Sequence, residues 1–411
     1  MKINKIIYIE IEKLMEDIPA EEIEKPGVQD PTPDGKNDEN KNEIVDEDKK
    51  NEEIEKDLLE IKEEPQVEIK KEEDLENINV NSDNLEINDL KSEKIMEKLK
   101  NLQFTKLEIL SLNGIGIKTL DFLNNGNFKS IIILELKNNE INSLDKINET
   151  PFQDLKVLDF SNNKISSIND ISKAPFKLIE IIVLSYNAIS DIQPLTVQAF
   201  TKLKKLDLSK NKIVSIDSLA NNQSIPELEY LYLNDNEIAN IDVLENDIFE
   251  KLKELQLNGN KIDKLDVFEK KKFPNLIELQ LYGNKITYID KLCNNNLEKL
   301  KTLNLGRNNI ESIHTLSKAK FKNLEELDLF DNKITDISVL KDVPFKEIKK
   351  LDLSFNQIKS IDVLLTGDFK KIEELKFEGN ANLDYSSNNP NIQKIYEQYK
   401  IPYSFNSLTN I

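Results

Sequence analysis

An asparagine recurs along this chain at an almost constant spacing, and this period restricts the fold more than any other feature. It follows an L-x-L-x-x pattern eleven times, and every step is 24 residues except one step of 25. A fixed period of roughly 20–50 residues is typical of a solenoid, in which each unit stacks only on its neighbours. The asparagines are Asn139, Asn163, Asn187, Asn211, Asn236, Asn260, Asn284, Asn308, Asn332, Asn356 and Asn380.

Each repeat unit contains one short strand and a return arc. The unit reads L-x-x-L-x-L-x-x-N-x-I-x-x-I-x-x-L-x-x-x-x-F-x-x, as in the repeat from Leu252 to Phe273. Alternating leucines indicate a strand with one buried face, and isoleucines every three residues indicate a tight arc. One unit cannot bury these side chains alone, whereas stacking stabilises each of them by about 1.5–3 kcal/mol. A degenerate copy with Ile115 at the asparagine position precedes the regular units.

The unit resembles a leucine-rich repeat, in particular the N-x-I-x-x-I-x-x-L variety of phosphatase regulators and bacterial internalins. The resemblance covers about residues 104–385. Those families mostly use about 22 residues per unit, whereas this chain uses 24 and adds a phenylalanine to the arc. The resemblance implies an α/β solenoid, a right-handed superhelix with a parallel concave β-sheet and short helical or irregular convex arcs. The phenylalanines are Phe152, Phe176, Phe200, Phe249, Phe273, Phe321, Phe345 and Phe369.

The eleven asparagines, which we call the asparagine ladder, lie where the chain leaves each strand. An amide both donates and accepts, so it can bond backbone groups that the turn leaves unpaired. We therefore expect a structural role for the ladder. Removal of one member should cost about 1–3 kcal/mol, the usual cost of an orphaned buried group.

Four regions are predicted along the chain. They are an acidic and largely disordered arm (1–80), an N-terminal cap (81–106), a solenoid of about 12 repeats (107–385) and a C-terminal cap (386–411). The arm carries 27 acidic against 12 basic residues, whereas the remaining chain carries 49 against 44. This composition predicts disorder over residues 12–80, either as a solvated tail or as a recruitment arm. Ile7, Ile9 and Ile11 alternate, so this segment could fold back on the body as an added strand.

Both caps are predicted to be helical, because a solenoid must cover its two open ends. Ser92 is a suitable N-cap for a helix that presents one apolar face, made of Ile95, Met96, Leu99 and Leu102. At the other end, Asn389 and Pro390 have the residue types that begin a helix.

Rare residue types exclude several chemistries. Cys293 is the single cysteine, so an intrachain disulfide or a cysteine-rich zinc site cannot form. The chain has no glycine-rich phosphate loop, and we expect no cofactor and no metal. A net charge of −20 with a single arginine argues against nucleic-acid binding. A thiol enzyme that uses Cys293 and His314, which lie on adjacent arcs, stays as an alternative of another class.

The chain contains no segment that is typical of a secretory signal or a membrane span. Its first apolar run is broken by Glu10 and Glu12, and no later run approaches 20 apolar residues. We therefore expect a monomer in the cytoplasm, with the nucleus as an alternative.

The outward positions of the strands form two columns on the concave face. The first concave column is Ile109, Ile133, Val157, Ile181, Lys205, Tyr230, Glu254, Glu278, Thr302, Glu326 and Lys350. The second is Ser111, Glu135, Asp159, Val183, Asp207, Tyr232, Gln256, Gln280, Asn304, Asp328 and Asp352. The face therefore begins with an apolar strip (Ile109, Ile133, Val157 and Ile181), which is either exposed or covered by the arm or by packing at the strand edge. It continues with tyrosines (Tyr186, Tyr230 and Tyr232) and ends in an acidic floor.

A second aromatic group, which we call the exit patch, lies where the later strands end. It consists of Tyr282, Arg307, Phe330 and Phe355. Because parallel strands lie about 4.8 Å apart, these side chains should form one surface. Aromatic residues with an arginine have the composition of a binding hot spot.

We therefore predict a non-enzymatic protein–protein interaction scaffold or regulatory subunit that binds partners on its concave face. The tyrosines, the apolar strip and the exit patch are the predicted contact residues. Regulation of a protein phosphatase is an alternative that the resemblance implies.

Overall fold

The structure is a computed structural model that describes residues 67–124, 128–197, 200–220, 224–385 and 389–400. Within these residues, fourteen strands form one parallel sheet, and each strand pairs with the next one in sequence. This order requires the chain to return across the opposite face after every strand, so the predicted solenoid with a parallel sheet is confirmed. The strands are β1 (Val67–Ile69), β2 (Asn84–Asn88), β3 (Ile109–Asn113), β4 (Ile133–Glu135), β5 (Val157–Asp159), β6 (Ile181–Val183), β7 (Lys205–Asp207), β8 (Tyr230–Tyr232), β9 (Glu254–Gln256), β10 (Glu278–Gln280), β11 (Thr302–Asn304), β12 (Glu326–Asp328), β13 (Lys350–Asp352) and β14 (Glu374–Lys376).

Short helices occupy the convex arcs. The α-helices of the described residues are α1 (Glu93–Asn101), α2 (Pro194–Val197), α3 (Val267–Lys270), α4 (Asp290–Asn294), α5 (Val363–Thr366) and α6 (Pro390–Tyr399). The 3₁₀ helices are Glu72–Asn77, Asp121–Asn124, Ile147–Glu149, Asn169–Lys173, Asp217–Ala220, Asp242–Glu245, Asp247–Lys251, His314–Lys318 and Ser338–Asp342. The inward isoleucines precede these helices, as Ile334 and Ile337 precede Ser338–Asp342, and Leu340 is the buried residue within that helix. Side chains also start these turns, as where Asp336 Oδ1 accepts from the Ser338 N–H at 2.8 Å.

The hydrophobic core runs the whole length of the array between the sheet and the arcs. In-register pairing places each inward leucine beside its equivalent, as Leu279 lies between Leu255 and Leu303. All eight phenylalanines of the added column are buried, and the rings of Phe321 and Phe345 stack with centroids 6.0 Å apart. The two extra residues per unit therefore hold a second apolar layer beneath the arcs.

Two strands precede the predicted start of the repeats. β2 pairs in register with β3, and Leu85 and Ile87 are buried as the inward residues of a repeat. β1 pairs with β2 and is followed by a 3₁₀ helix. The prediction of disorder is therefore wrong for residues 67–80, and residues 84–88 belong to the sheet. Neither strand is followed by a ladder asparagine, so an alignment on asparagine begins too late.

The N-terminal cap helix is α1, which occupies the arc between β2 and β3. Ser92 Oγ accepts from the Lys94 N–H at 3.3 Å, which confirms the predicted N-cap. Ile95 and Leu99 are buried, as predicted. Since two strands lie before it, α1 covers the flank of an early repeat rather than the open end.

The C-terminal helix α6 covers the last arc. Asn389 Oδ1 accepts from the Asn391 N–H at 3.1 Å, and Pro390 is the first helical residue, as predicted. Ile392 and Ile395 are buried against the core. Residues 1–66, which include the predicted extra strand at Ile7, Ile9 and Ile11, and residues 401–411 lie outside the described residues.

Candidate functional site

The asparagine ladder bonds each repeat to the one before it. Asn284 Nδ2 donates to the carbonyls of Leu257 at 2.9 Å and Leu281 at 3.0 Å, and its Oδ1 accepts from the Ile262 N–H at 3.0 Å. The same three bonds recur at every ladder position. Each amide satisfies backbone groups of two successive repeats and has little capacity left for a ligand.

The residue before each ladder asparagine has a left-handed backbone. These residues are Asn138, Asn162, Tyr186, Lys210, Asp235, Gly259, Gly283, Arg307, Asp331, Phe355 and Gly379, all with positive φ. Glycine, asparagine and aspartate tolerate this region, whereas Tyr186, Lys210, Arg307 and Phe355 are each disfavoured there by about 1–2 kcal/mol. Three of these four residues, Tyr186, Arg307 and Phe355, are predicted contact residues, and strain kept there favours a functional role for them.

The exit patch is contiguous in space. The rings of Phe330 and Phe355 meet edge to face with centroids 5.3 Å apart. The Arg307 guanidinium lies 6.0 Å from the centre of the Tyr282 ring. The backbone N–H of Arg307 donates to the backbone carbonyl of Phe330 at 2.6 Å. This bond connects the two pairs across adjacent repeats. Arg307 and Phe355 are exposed, and Tyr282 and Phe330 are half-buried. The structure therefore places all four predicted residues on one surface.

Two glycines make room for the exit patch, and the sequence reasoning missed both. A Cβ on Gly306 would lie 2.9 Å from Cδ2 of Tyr282, and a Cβ on Gly379 would lie 2.9 Å from Cδ1 of Phe355. Each ring therefore lies against the backbone of the following repeat. In the sequence, each of these glycines follows an aromatic residue of the exit patch by one repeat of 24 residues.

The apolar strip is buried, which is the covered one of the two alternatives that the sequence leaves open. Ile133, Val157 and Ile181 form a buried cluster with Val183, separate from the main core, and Ile109 packs against it half-buried. Val183 belongs to the second concave column and extends the strip beyond the four predicted residues.

Tyr232 is also buried, and its role as a partner contact stays a prediction. Its hydroxyl donates to Glu254 Oε2 at 2.5 Å, and the Lys205 ammonium lies 4.9 Å from its ring centre. Burial, together with the charge of Glu254, raises the pKa of the Tyr232 phenol. Tyr230 is half-buried between the ammonium groups of Lys205 and Lys253, which lie 6.0 and 5.8 Å from its ring centre.

Tyr186 stands apart from the other two tyrosines. It is exposed at a strand exit, with the Lys210 ammonium 4.2 Å from its ring centre and bonded to its hydroxyl. It is therefore the tyrosine of the three that a partner can reach most easily.

The acidic floor extends over β9 to β13. Glu254, Glu278 and Glu326 are half-buried in the first concave column. Burial, followed by the charge of Glu254, raises the pKa of Glu278, while Gln280 Nε2 donates to the Glu278 carboxylate at 3.1 Å. Closely spaced carboxylates create a negative potential that suits a basic partner.

The predicted thiol pair lacks an activated nucleophile. Cys293 is completely buried on α4, and burial raises the pKa of its thiol to about 12. A thiol with this pKa stays protonated near neutral pH and is a poor nucleophile. His314 is exposed, and its Nδ1 contacts Ser312 Oγ at 2.9 Å rather than a carboxylate.

The described part of the chain has neither a metal-binding cluster nor a helix suited to cross a membrane. No group of three or more His, Cys, Asp or Glu residues there has a metal-binding arrangement. None of the helices there has the length and apolar character that a membrane crossing requires.

Comparison with protein families finds leucine-rich repeats. The family described as "Leucine Rich repeats (2 copies)" matches residues 226–270 and 298–342. The families described as "Leucine rich repeat" and "Leucine Rich Repeat" match residues 177–238 and 250–310, and residues 154–174. Comparison with curated proteins finds no match.

Solved structures of other repeat proteins share the fold. An internalin (inlF) from Listeria monocytogenes is 24% identical over 74% of this chain and 88% of its own, with a TM-score of 0.56. A leucine-rich repeat protein of Leptospira interrogans is 22% identical over 82% of this chain and 100% of its own, also with a TM-score of 0.56. The ectodomain of the receptor kinase GASSHO1/SCHENGEN3 from Arabidopsis thaliana, in complex with CASPARIAN STRIP INTEGRITY FACTOR 2, is 21% identical over 73% of this chain and 38% of its own, with a TM-score of 0.50.

Proposed function

The chain is a leucine-rich repeat protein, and we propose that it is a non-enzymatic scaffold whose protein partner docks on the concave face between β9 and β14. The observation that carries this proposal is the exit patch. Its four side chains come from four successive repeats, and two of them, Arg307 and Phe355, stand in a strained backbone conformation. The core does not need an aromatic or an arginine there, because glycine, asparagine or aspartate occupies most equivalent positions.

The composition of the patch suits an anchor in a protein interface. Phe355 is 44% exposed, and it makes an edge-to-face contact with Phe330 that holds both rings in place. A rigid aromatic surface loses little conformational entropy on binding, which is why aromatics and arginine are enriched at hot spots. The neighbouring acidic floor supports a partner that presents an apolar anchor together with lysine or arginine side chains.

The receptor ectodomain from Arabidopsis is a precedent at the level of fold, since that protein was solved in a complex with another factor. Regulation of a protein phosphatase is a narrower version of the proposal, and no particular residue of the chain favours it. We propose the cytoplasm or the nucleus as the location, because the chain has no disulfide framework.

The proposal is tested by affinity capture with the full chain and variants of the exit patch. The variants are Phe330→Ala, Phe355→Asn and their combination. The control is Tyr288→Ala, since Tyr288 is an aromatic that is 74% exposed outside the patch. Proteins that wild type and Tyr288→Ala retain, and that the combined variant loses, are candidate partners.

Titration of one purified candidate then measures the effect. We expect the combined variant to bind about 30-fold or more weakly, as hot-spot residues do. Tyr288→Ala should stay within about twofold of wild type. Because Phe355→Asn relieves a left-handed phenylalanine, its midpoint of thermal unfolding should not fall. Unchanged binding by the combined variant, or an equal loss with Tyr288→Ala, would contradict the proposed site.

A further inference from the structure

Side chains at equivalent concave positions of different repeats differ sharply in how far they are buried. Lys205 and Lys350 both belong to the first concave column, where strands of the same register place them. Lys205 is 0% exposed, whereas the side chain of Lys350 is 52% exposed. Ile133, Val157 and Ile181, on the strands that lead to Lys205, are buried as well. The same backbone geometry therefore gives a covered face from β4 to β7 and an open one at β13.

The described elements do not explain this cover. Each strand packs on its neighbouring strands, and each arc packs on neighbouring arcs on the other side of the sheet. Side chains of one column lie side by side rather than over one another, since they point out of the same face. The Tyr232 ring covers part of Lys205, since it lies 4.9 Å from the ammonium. Asp207 and Tyr232 are themselves buried, so the two columns do not form the outermost layer here. The described strands and arcs therefore do not account for the burial of this face.

Most of the remaining chain cannot reach this face. Residues 125–127, 198–199 and 221–223 follow convex helices and are two or three residues long. Residues 401–411 follow α6 at the far end, and β14 lies eight strand spacings, or roughly 38 Å, from β6. Eleven extended residues span at most about 36–40 Å, and these would first have to pass around the edge of the array.

The N-terminal segment has the required length. Residues 13–66 separate Glu12 from β1, and a coil of this length has an end-to-end distance on the order of 40 Å. Four strand spacings from β1 to β5 amount to roughly 19 Å. Linkage within one chain also gives the segment an effective concentration in the millimolar range, so that weak contacts suffice.

The spacing and charge of the segment match the strip. In an extended conformation, Ile7 and Ile11 lie about 13 Å apart, and the column from Ile109 to Ile181 spans three strand spacings, or about 14 Å. Lys2 and Lys5 precede the three isoleucines, whereas Glu10 and Glu12 flank Ile11. On the face, the carboxylates of Glu135 and Asp159 lie beside the strip and Lys205 follows it. An orientation that runs from β3 towards β6 therefore pairs opposite charges.

We propose that the segment of residues 5–12 binds across the apolar strip of the same molecule, in the direction from β3 to β6, with Ile7, Ile9 and Ile11 against the column from Ile109 to Ile181. The occupant is thus a part of this chain, not a second protein. The inference is independent of the proposed function, since the exit patch lies on later repeats. In its occupied state the scaffold offers only its C-terminal half to a partner.

Thiol accessibility in the full chain tests this contact. Val157→Cys places a thiol under the proposed segment, and Lys350→Cys places one at the equivalent open position. The probe is N-ethylmaleimide, and native Cys293 is a slow background because it is buried with a raised pKa. We expect Val157→Cys to react at least about tenfold more slowly than Lys350→Cys, as for a site that opens only transiently.

The segment is then altered in the same background. Ile7→Ser/Ile9→Ser/Ile11→Ser should bring the rate of Val157→Cys to within about threefold of Lys350→Cys. The control Ile18→Ser/Ile23→Ser/Ile44→Ser removes three isoleucines from the same arm and should leave the rate unchanged. Ile181→Cys repeats the measurement if Val157→Cys does not fold.

Three outcomes overturn the proposal. A fast reaction of Val157→Cys with the native segment means that the face is open. A slow reaction that the serine substitutions do not change means that another element covers it. Protection that rises with protein concentration means that a second copy supplies the segment. None of these results bears on capture at the exit patch, so the two proposals fail separately.

Discussion

At the residue scale, a side chain in this molecule acts mainly on the repeats next to it. Asn284 bonds carbonyls in its own repeat and the preceding one, and the Phe355 ring lies over Gly379 of the following repeat. Two neighbouring positions thus have opposite roles. The ladder position holds an amide in all eleven regular units, whereas the left-handed position before it holds several residue types and is free to carry function.

The ladder account predicts a large effect from a single amide. Asn284→Leu leaves two carbonyls and one N–H without their partner, so the free energy of unfolding should fall by about 3 kcal/mol. Chemical denaturation of the full chain measures this loss. Asn296→Leu makes the same exchange at an exposed asparagine and should change stability by less than about 0.5 kcal/mol. Equal effects of the two variants would contradict the ladder account.

The buried carboxyl of Asp159 should make the free energy of unfolding depend on pH in a specific way. Burial is the main cause that raises the pKa of this carboxyl from 3.8 to about 6, against the opposing effects of Lys137 and the hydrogen bonds from Ser161. The folded state therefore holds this proton more tightly than the unfolded state does. Its contribution to stability is complete below pH 3.8, declines as the pH rises to about 6, and is absent above that.

Asp159→Asn should therefore be more stable than wild type above pH 6, by at most about 3 kcal/mol, and similar to it near pH 4. The measurement is the difference between the two unfolding free energies at each pH, in which carboxylates common to both proteins cancel. A difference that does not vary between pH 4 and 6 would show that Asp159 is not buried as described.

At the scale of elements, the helices at the ends compensate for missing neighbours. An internal arc packs between two others, whereas the last arc, α5, has α6 on its outer side. Tyr399 on α6 donates its hydroxyl to the Leu364 carbonyl of α5 at 2.6 Å. Because contacts extend only to neighbours, damage to α6 should remain local.

Ile395→Ala tests this locality. Ile395 is fully buried on α6, and truncation of such a side chain costs about 2–5 kcal/mol. Hydrogen exchange should accelerate at β13 and β14 and stay unchanged at β9 and β10. Lys394→Ala, on the exposed side of the same helix, is the control. Acceleration along the whole sheet would indicate one cooperative unit instead of a neighbour-coupled array.

At the scale of the whole molecule, the period of 24 residues was sufficient to predict the sheet, its register and the proximity of Phe330 to Phe355. It did not predict β1 and β2, because these strands lack the ladder asparagine and only the alternation of Leu85 and Ile87 marks them. Nor did it predict the burial of Val157. Burial on an outward face depends on what lies over that face, and the repeat pattern has no information about it.

The fold-back of residues 5–12 makes a prediction for the assembly state of the whole chain. If the segment binds its own strip, sedimentation equilibrium should give the monomer mass over a hundredfold range of concentration (about 1 to 100 μM, where weak dimers form). The variant Ile7→Ser/Ile9→Ser/Ile11→Ser should keep this mass. In a sedimentation-velocity experiment its sedimentation coefficient should be lower than that of wild type, since a released arm increases friction. The control Ile18→Ser/Ile23→Ser/Ile44→Ser should sediment like wild type. A wild-type dimer that the first variant converts to a monomer would mean that two copies exchange their segments, since an element that folds back within one chain can also swap between chains.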